Sequence, residues 1–216
     1  MEIIEQSYKV LRWPEDAVNQ INEAARTCYR SEEKAGAKSD EKLVKKLKDL
    51  GHHAMLEFAD ITVKITTDRA VSHELVGHRV ASCAQESQGY VKYGGDIKFI
   101  KPSWAGKHED AYEIWKRAVS QAAETYAEMI GFCGIPAQSA RTVLPNSTAT
   151  VIVVKANIRE WLHIFSLRGS AAAYPQMRSL MLPMMADFHD RLPLIFDAPE
   201  GTWEAMDVSY KEGLHD

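Results

Sequence analysis

Polar side chains able to do chemistry gather in four stretches of the chain. The first is Gly51-His52-His53-Ala54-Met55-Leu56-Glu57-Phe58. The second runs from Asp68 to Tyr90 and carries Arg69, His73, Glu74, His78, Arg79, Cys83, Gln85, Glu86, Ser87 and Gly89. The third, Pro136 to Asn146, holds Gln138, Ser139 and Arg141, and the fourth, Asn157 to Arg168, holds Arg159, Glu160 and His163 before Tyr174-Pro175-Gln176-Met177-Arg178. Guanidinium forks bind phosphate through two parallel, charge-assisted hydrogen bonds, so a few well-placed arginines suffice for one phosphorylated metabolite.

Other chemistries are excluded by spacing. His73-Glu74-Leu75-Val76-Gly77-His78 is one residue longer than the zinc-protease signature H-E-x-x-H. Histidines five apart diverge by roughly 140° around a helix, so they do not share a face, and no metal site is expected. The chain has no G-x-G-x-x-G, no phosphate-binding loop ending in Gly-Lys-Ser/Thr, and no G-x-S-x-G elbow. Any dinucleotide cofactor is therefore held without a Rossmann fingerprint.

The bulk composition narrows the partners. A net charge of −4 argues against electrostatic binding to a nucleic acid polymer, and it leaves room for a local basic pocket. Cys28, Cys83 and Cys133 are widely spaced and odd in number, which suits a reducing compartment better than a disulfide framework. No signal peptide and no apolar run near the roughly 18 residues of a membrane span is visible, so the expected location is cytoplasmic, with no membrane partner.

The elements that must position these groups follow from periodicity. Glu15 to Tyr29 carries Ala17, Ile21, Ala24, Ala25 and Cys28 at helical spacing, Ser31 to Asp40 reads as a surface loop, and Glu41 to Leu50 as a basic helix closed by Gly51. Phe58 to Thr66 alternates as a half-buried strand, and Asp68 is a candidate N-cap for a helix towards Arg79. Glu109 to Phe132 is a long helix whose apolar stripe is Ala111, Ile114, Trp115, Ala118, Ala122, Tyr126 and Met129. Thr148 to Lys155 is a second strand, Asn157 to Leu167 a helix, and Pro175 starts another. Few strands among many helices predict one α+β domain over residues 1–216, an antiparallel sheet with flanking helices.

The four stretches, in this order, resemble the signature segments of flavin-dependent thymidylate synthases. That family's central motif is R-H-R, seven residues, then Ser-x-Arg; this chain has Gly77-His78-Arg79, seven residues, then Ser87-Gln88-Gly89. Ala24-Ala25-Arg26-Thr27-Cys28-Tyr29 is a further family-like segment, so the resemblance covers about Ala24 to Phe196. It implies the fold of that family. It also implies FAD, NADPH and methylenetetrahydrofolate as cofactors, a pyrimidine nucleotide and folate as substrates, and a homotetramer with sites between subunits. Matching residue by residue, it implies flavin contacts from Ala54, His78, Arg79, Gln85, Asn157, Arg159 and His163. It implies nucleotide contacts from Glu74, Gln85, Glu86, Ser87, Gly89, Arg141 and Arg168, with Arg168 polarising the nucleobase, Arg141 on the phosphate, and Ser87 also at the reacting site.

Two departures stand out, because family arginines are replaced by Gly77 and Gly89. Each removes a charge-assisted contact of roughly 1.5–3 kcal/mol. Gly89 either opens space beside a nucleotide or adopts a positive φ that arginine resists. Cys83 has no adjacent base and is not read as a nucleophile. Each candidate also has a simpler use. Arg141 and Arg168 could be surface or ion-pair residues, His78 and His163 core residues on helices, Ser87 a turn cap and Asn157 a helix N-cap. Met177, Met181, Met184 and Met185 read as core or subunit interface. The implied reaction is C5 methylation of dUMP to dTMP. The alternatives are a relative that methylates another pyrimidine nucleotide such as UMP, and a flavin- or nucleotide-binding protein without catalysis.

Overall fold

The structure, a computed structural model, describes residues 1–89 and 97–196. In chain order the elements are β1 (Glu2–Ile4), β2 (Ser7–Arg12), α1 (Ala17–Tyr29), α2 (Ala37–Asp49), β3 (Asp60–Asp68), α3 (Arg69–Leu75), β4 (Ser82–Gln85), β5 (Lys98–Ile100), α4 (Glu109–Gly131), α5 (Ala137–Ala140), β6 (Ala149–Asn157), α6 (Ile158–Arg168) and α7 (Pro175–Arg191). The expected α+β architecture, an antiparallel sheet with flanking helices, is the one found.

Four strands form that sheet in the order β2-β3-β6-β4. The antiparallel sense of β3 and β6 is visible at both ends. Ile158 donates its N–H to the Ala59 carbonyl at 2.9 Å, and Arg69 donates its N–H to the Asn146 carbonyl at 2.8 Å. Ile61, Val63 and Ile65 are fully buried on one face of β3, as their alternation predicts. β1 and β5 make a separate parallel pair, in register Glu2↔Lys98, Ile3↔Phe99 and Ile4↔Ile100. The expectation of two strands missed β1, β2, β4 and β5. Three of these are only three or four residues long, and β1 finds its partner far along the chain.

The chain divides into two compact units, whose boundaries fall inside β2, β3, β4 and β6 and between Arg79 and Val80. One comprises Met1–Lys9, Lys64–Arg79 and Cys83–Val154. Its core is Ile97, Phe99, Val119, Tyr126 and Ala140, with Trp115, Ala123, Met129 and Ile130 of α4 packed against it. The inward face of α4 is thus rotated from the expected stripe, leaving Ala111, Ile114 and Ala118 exposed. The expected stripe rested on alanines, which bury little area. Val119 and the aromatic rings settle the face instead.

The second unit comprises Val10–Val63, Val80–Ser82 and the chain from Lys155 onward. Trp161 is fully buried in it, and donates Nε1–H to the Ile61 carbonyl at 3.2 Å, which fixes α6 to β3. Phe188 of α7 meets Trp161, Phe165, Trp13 and Phe196 with ring centroids 5.0–5.3 Å apart, mostly edge to face. Met177, Met181 and Met184 are buried beside it on α7, as core methionines.

At the other side of this unit α2 begins at Ala37, so the stretch expected to be a loop is half helical. Its cause is an ion pair beyond the reach of local patterns. Arg26, buried on α1, donates Nη2 to Asp40 Oδ1 at 2.5 Å and Nε to the same oxygen at 3.1 Å. It also donates Nη2 to Ser39 Oγ and Nη1 to the Ser31 carbonyl. Asp40 Oδ2 accepts the Gly36 N–H at 3.2 Å, so one carboxylate holds both the arginine and the start of α2. At its far end α2 closes as expected. Gly51 (φ +72°) and His52 donate back to the Lys48 and Leu47 carbonyls, a turn that favours glycine.

Candidate functional site

The polar groups singled out by sequence are found in both units. In the first unit β3 ends at Asp68, whose Oδ1 accepts the Val71 N–H at 2.7 Å and so caps α3 as expected. Burial is the main influence on the Asp68 carboxyl and raises its pKa. α3 stops at Leu75, so His78 lies just past the helix and not on it. His78 is buried and Arg79 exposed. Gly77, a poor helix residue, follows the helix end, and a Cβ added there would meet the Glu74 carbonyl at 3.3 Å.

β4 then delivers Gln85, Glu86 and Ser87. Glu86 N–H bonds the Val151 carbonyl at 2.9 Å, tying this edge to β6. The Gln85 amide donates to Ser72 Oγ at 2.8 Å and reaches Thr150 Oγ1 at 3.4 Å, so its NH2 group serves the scaffold. Ser87 Oγ accepts the Gly89 N–H at 3.2 Å, the turn-capping use foreseen for it, and its own hydrogen remains free to turn towards a ligand. Gly89 does not have a positive φ. An added Cβ would lie 3.5 Å from Ser87 Oγ and 3.8 Å from Gln138 Cβ, both ordinary contacts. Of the two explanations for this glycine, the positive φ is the one that fails. The same contact places the 86–89 turn beside α5, three residues before exposed Arg141. Tyr90 lies outside the described residues.

In the second unit a cleft of about 650 Å³ is lined by His53, Glu57, Val80, Asn157, Arg159, Glu160, Leu162, His163 and Ser166. Asn157 caps α6, its Oδ1 accepting the Glu160 N–H at 2.9 Å, which leaves its amide NH2 as a donor. The cap and the cleft are thus two uses of one side chain. Exposed Arg159 donates Nη1 to Glu57 at 2.6 Å, and Ala54 sits exposed in the turn between His53 and Phe58. At the far end of α6 stands Arg168, half-buried, and its successor Gly169 is fixed in place. The Gly169 carbonyl accepts Arg178 Nε–H at 3.2 Å, and an added Cβ would come within 2.6 Å of Met185 Sδ.

The sequence profile described as thymidylate synthase complementing protein matches residues 9–194. A flavin-dependent thymidylate synthase of Geobacter sulfurreducens is 37% identical over 187 residues, covering 82% of this chain and 80% of the relative. The chain belongs to the flavin-dependent thymidylate synthase family. Another such synthase, from Mycobacterium avium, is 32% identical over 190 residues, covering 80% of this chain and 76% of its own. Among solved structures, a UMP/dUMP methylase, PolB, from Streptomyces cacaoi, bound with 5-Br dUMP, shares the fold. Its TM-score is 0.79 at 22% identity, over 91% of this chain and 96% of that one.

Family membership invites a test of fit for the flavin. The cleft in the second unit has the volume of a cofactor pocket, which commonly spans roughly 300–1,000 Å³. Its lining offers a guanidinium, two imidazoles, a carboxamide and a hydroxyl, with the carboxylates of Glu57 and Glu160, against apolar Val80 and Leu162. Such donors beside an apolar wall suit the polar edges of a flavin, and Arg159 would turn to an anionic group only by leaving Glu57. Asn157, Arg159 and His163 were foreseen by resemblance, whereas His53, Glu57 and Ser166 were not. The signal for the first two was present, in the histidine-rich turn just before β3. Partial burial pushes the Cys83 thiol up, away from the reactive thiolate.

Proposed function

We propose that the protein is an FAD-dependent methyltransferase that makes dTMP from dUMP. One-carbon transfer from methylenetetrahydrofolate, with NADPH and a proton, gives dTMP, tetrahydrofolate and NADP⁺. The observation that carries this reading is the donor-lined cleft of Asn157, Arg159 and His163 in a chain whose residues 9–194 match the family. FAD, when bound, supplies the hydride chemistry that side chains lack. The protein's own residues bind and orient. Asn157, Arg159 and His163, with Ala54, His78, Arg79 and Gln85, hold the flavin. Arg141 holds the nucleotide's phosphate, with Glu74, Gln85, Glu86, Ser87 and the Gly89 turn around the nucleotide. Arg168 stabilises negative charge as it develops on the uracil ring. We take the enzyme to work in the cytoplasm as a homotetramer with sites between subunits; no helix among the described residues is long and apolar enough to cross a membrane.

The test is a titration with FAD followed by tritium release from 5-tritiated nucleotide. Flavin quenching and a raised melting temperature are expected, then tritium release from dUMP in the presence of NADPH and methylenetetrahydrofolate. Absence of any flavin response at high micromolar FAD overturns the flavoenzyme reading. Flavin binding without tritium release from either dUMP or UMP leaves a binding protein.

A second reading, methylation of UMP, is favoured by Gly89, where among the described residues only Ser87 Oγ and Gln138 Cβ stand within 4 Å of an added Cβ, both at ordinary contact distance. Restoring an arginine carries no backbone strain, since φ is not positive. Gly89→Arg is expected to tighten dUMP binding by about one to two decades, through one charge-assisted contact of roughly 1.5–3 kcal/mol. Calorimetric titration with dUMP and UMP checks this. Unchanged affinity for both, in a variant that melts normally, removes Gly89 from the nucleotide site.

A further inference from the structure

One half-buried arginine in the first unit has no counter-charge among the described residues. Arg12, Arg26, Arg159 and Arg191 each pair with a carboxylate. Arg69, half-buried at the start of α3, makes one side-chain bond, from Nη2 to the neutral Glu86 carbonyl at 3.0 Å. Its Nε is buried with no acceptor. The neighbouring carboxylate, Asp68, is turned to the Val71 N–H as a cap.

A second orphan lies close along the same backbone contact. Arg69 N–H donates to the Asn146 carbonyl, and the next residue, Ser147, has a buried Oγ without a partner. Partial burial of an uncompensated guanidinium is unfavourable, and so is a buried hydroxyl with no hydrogen bond. A phosphate monoester beside the guanidinium supplies the missing counter-charge and acceptors in one group. The two segments joined by Arg69, 86–89 and 141–147, are those assigned above to the nucleotide.

We infer that Arg69, with Ser147, belongs to the phosphate-binding site and supplies the positive charge that Gly89 leaves out. This rests on the nucleotide reading given under Proposed function. Through Nη2 the same guanidinium holds the turn at Glu86, so two contributions must be separated: charge on the phosphate and support of the turn. Deoxyuridine, which has the base and sugar without phosphate, separates them.

Calorimetric titration of the full chain and of Arg69→Gln and Arg69→Lys, with dUMP and deoxyuridine, tests the inference, with melting curves for each variant. Arg69→Gln is expected to weaken dUMP by about 10- to 100-fold and leave deoxyuridine unchanged. Arg69→Lys, which keeps the charge and loses the fork, should recover part of the loss. Equal weakening of dUMP and deoxyuridine, or equal loss in both variants, reduces Arg69 to support of the turn and overturns the inference. So does unchanged dUMP affinity in Arg69→Lys and Arg69→Gln together. Should Arg69→Gln fail to fold, the dUMP-to-deoxyuridine ratio in Arg69→Lys decides: an unaltered ratio overturns the inference, and a reduced one supports it. Failure of the wild type to bind either dUMP or UMP would instead strike the nucleotide reading itself.

Discussion

Arg168→Ala is expected to lower kcat by roughly 10²–10³-fold while the protein still folds, since a preorganised donor acts most strongly on charge that appears in the transition state. The side chain is half-buried at the end of α6, and the turn after it is held by Arg178 Nε and by the packing of Gly169. A residue so placed loses little freedom on binding, which is the condition for preorganisation. Because the lost contact strengthens as the ring takes on charge, the defect should fall on kcat and not only on KM. Steady-state kinetics with dUMP, beside melting curves, provide the check. A near-normal kcat would remove Arg168 from the chemistry.

A larger effect on stability is expected from Asp40→Ala. The Arg26 side chain is 5% exposed and Asp40 15%, so deleting the carboxylate strands a guanidinium in the interior. Breaking a buried pair from one side typically costs about 3–5 kcal/mol. For a chain of this size each kcal/mol corresponds to roughly 2–4 °C, so the melting temperature should fall by roughly 6–20 °C. Removing both partners, as Arg26→Met with Asp40→Ala, should recover much of the loss, because no unpaired charge then remains. Thermal melts of the two single variants and the double variant form the cycle. A loss below about 1 kcal/mol in Asp40→Ala would mean that the pair is screened by solvent as a surface bridge is.

The same pair shows where reading the sequence stops. Asp68 and Asn157 could be read as caps because a cap needs only the three residues that follow it, and both caps are present. β3 was legible for the same reason, since two-residue alternation is local. Asp40, by contrast, acts on a residue fourteen positions away, and the stretch before it read as loop. β1 needs Lys98 to Ile100 to become a strand at all. In the site, resemblance supplied Asn157, Arg159 and His163, which line the cleft together. It passed over Arg69, because an unpaired guanidinium is recognised only when every neighbour is in place. Gly89 is the intermediate case: its type drew attention, and its backbone angle removed one of two explanations.

Gly169 bears on how such an enzyme can drift. A methyl group there would meet Met185 Sδ at 2.6 Å and the Phe165 carbonyl oxygen at 2.8 Å. The thioether can swing aside, but the carbonyl is backbone, so repacking α7 relieves only one of the two collisions. Gly36 and Gly106 have nothing within 4 Å and are open to replacement. Lineages of this protein can therefore wander at those two surface positions while the turn behind Arg168 stays as it is. Change close to Arg168 is confined to side chains, because the backbone turn behind it cannot be moved.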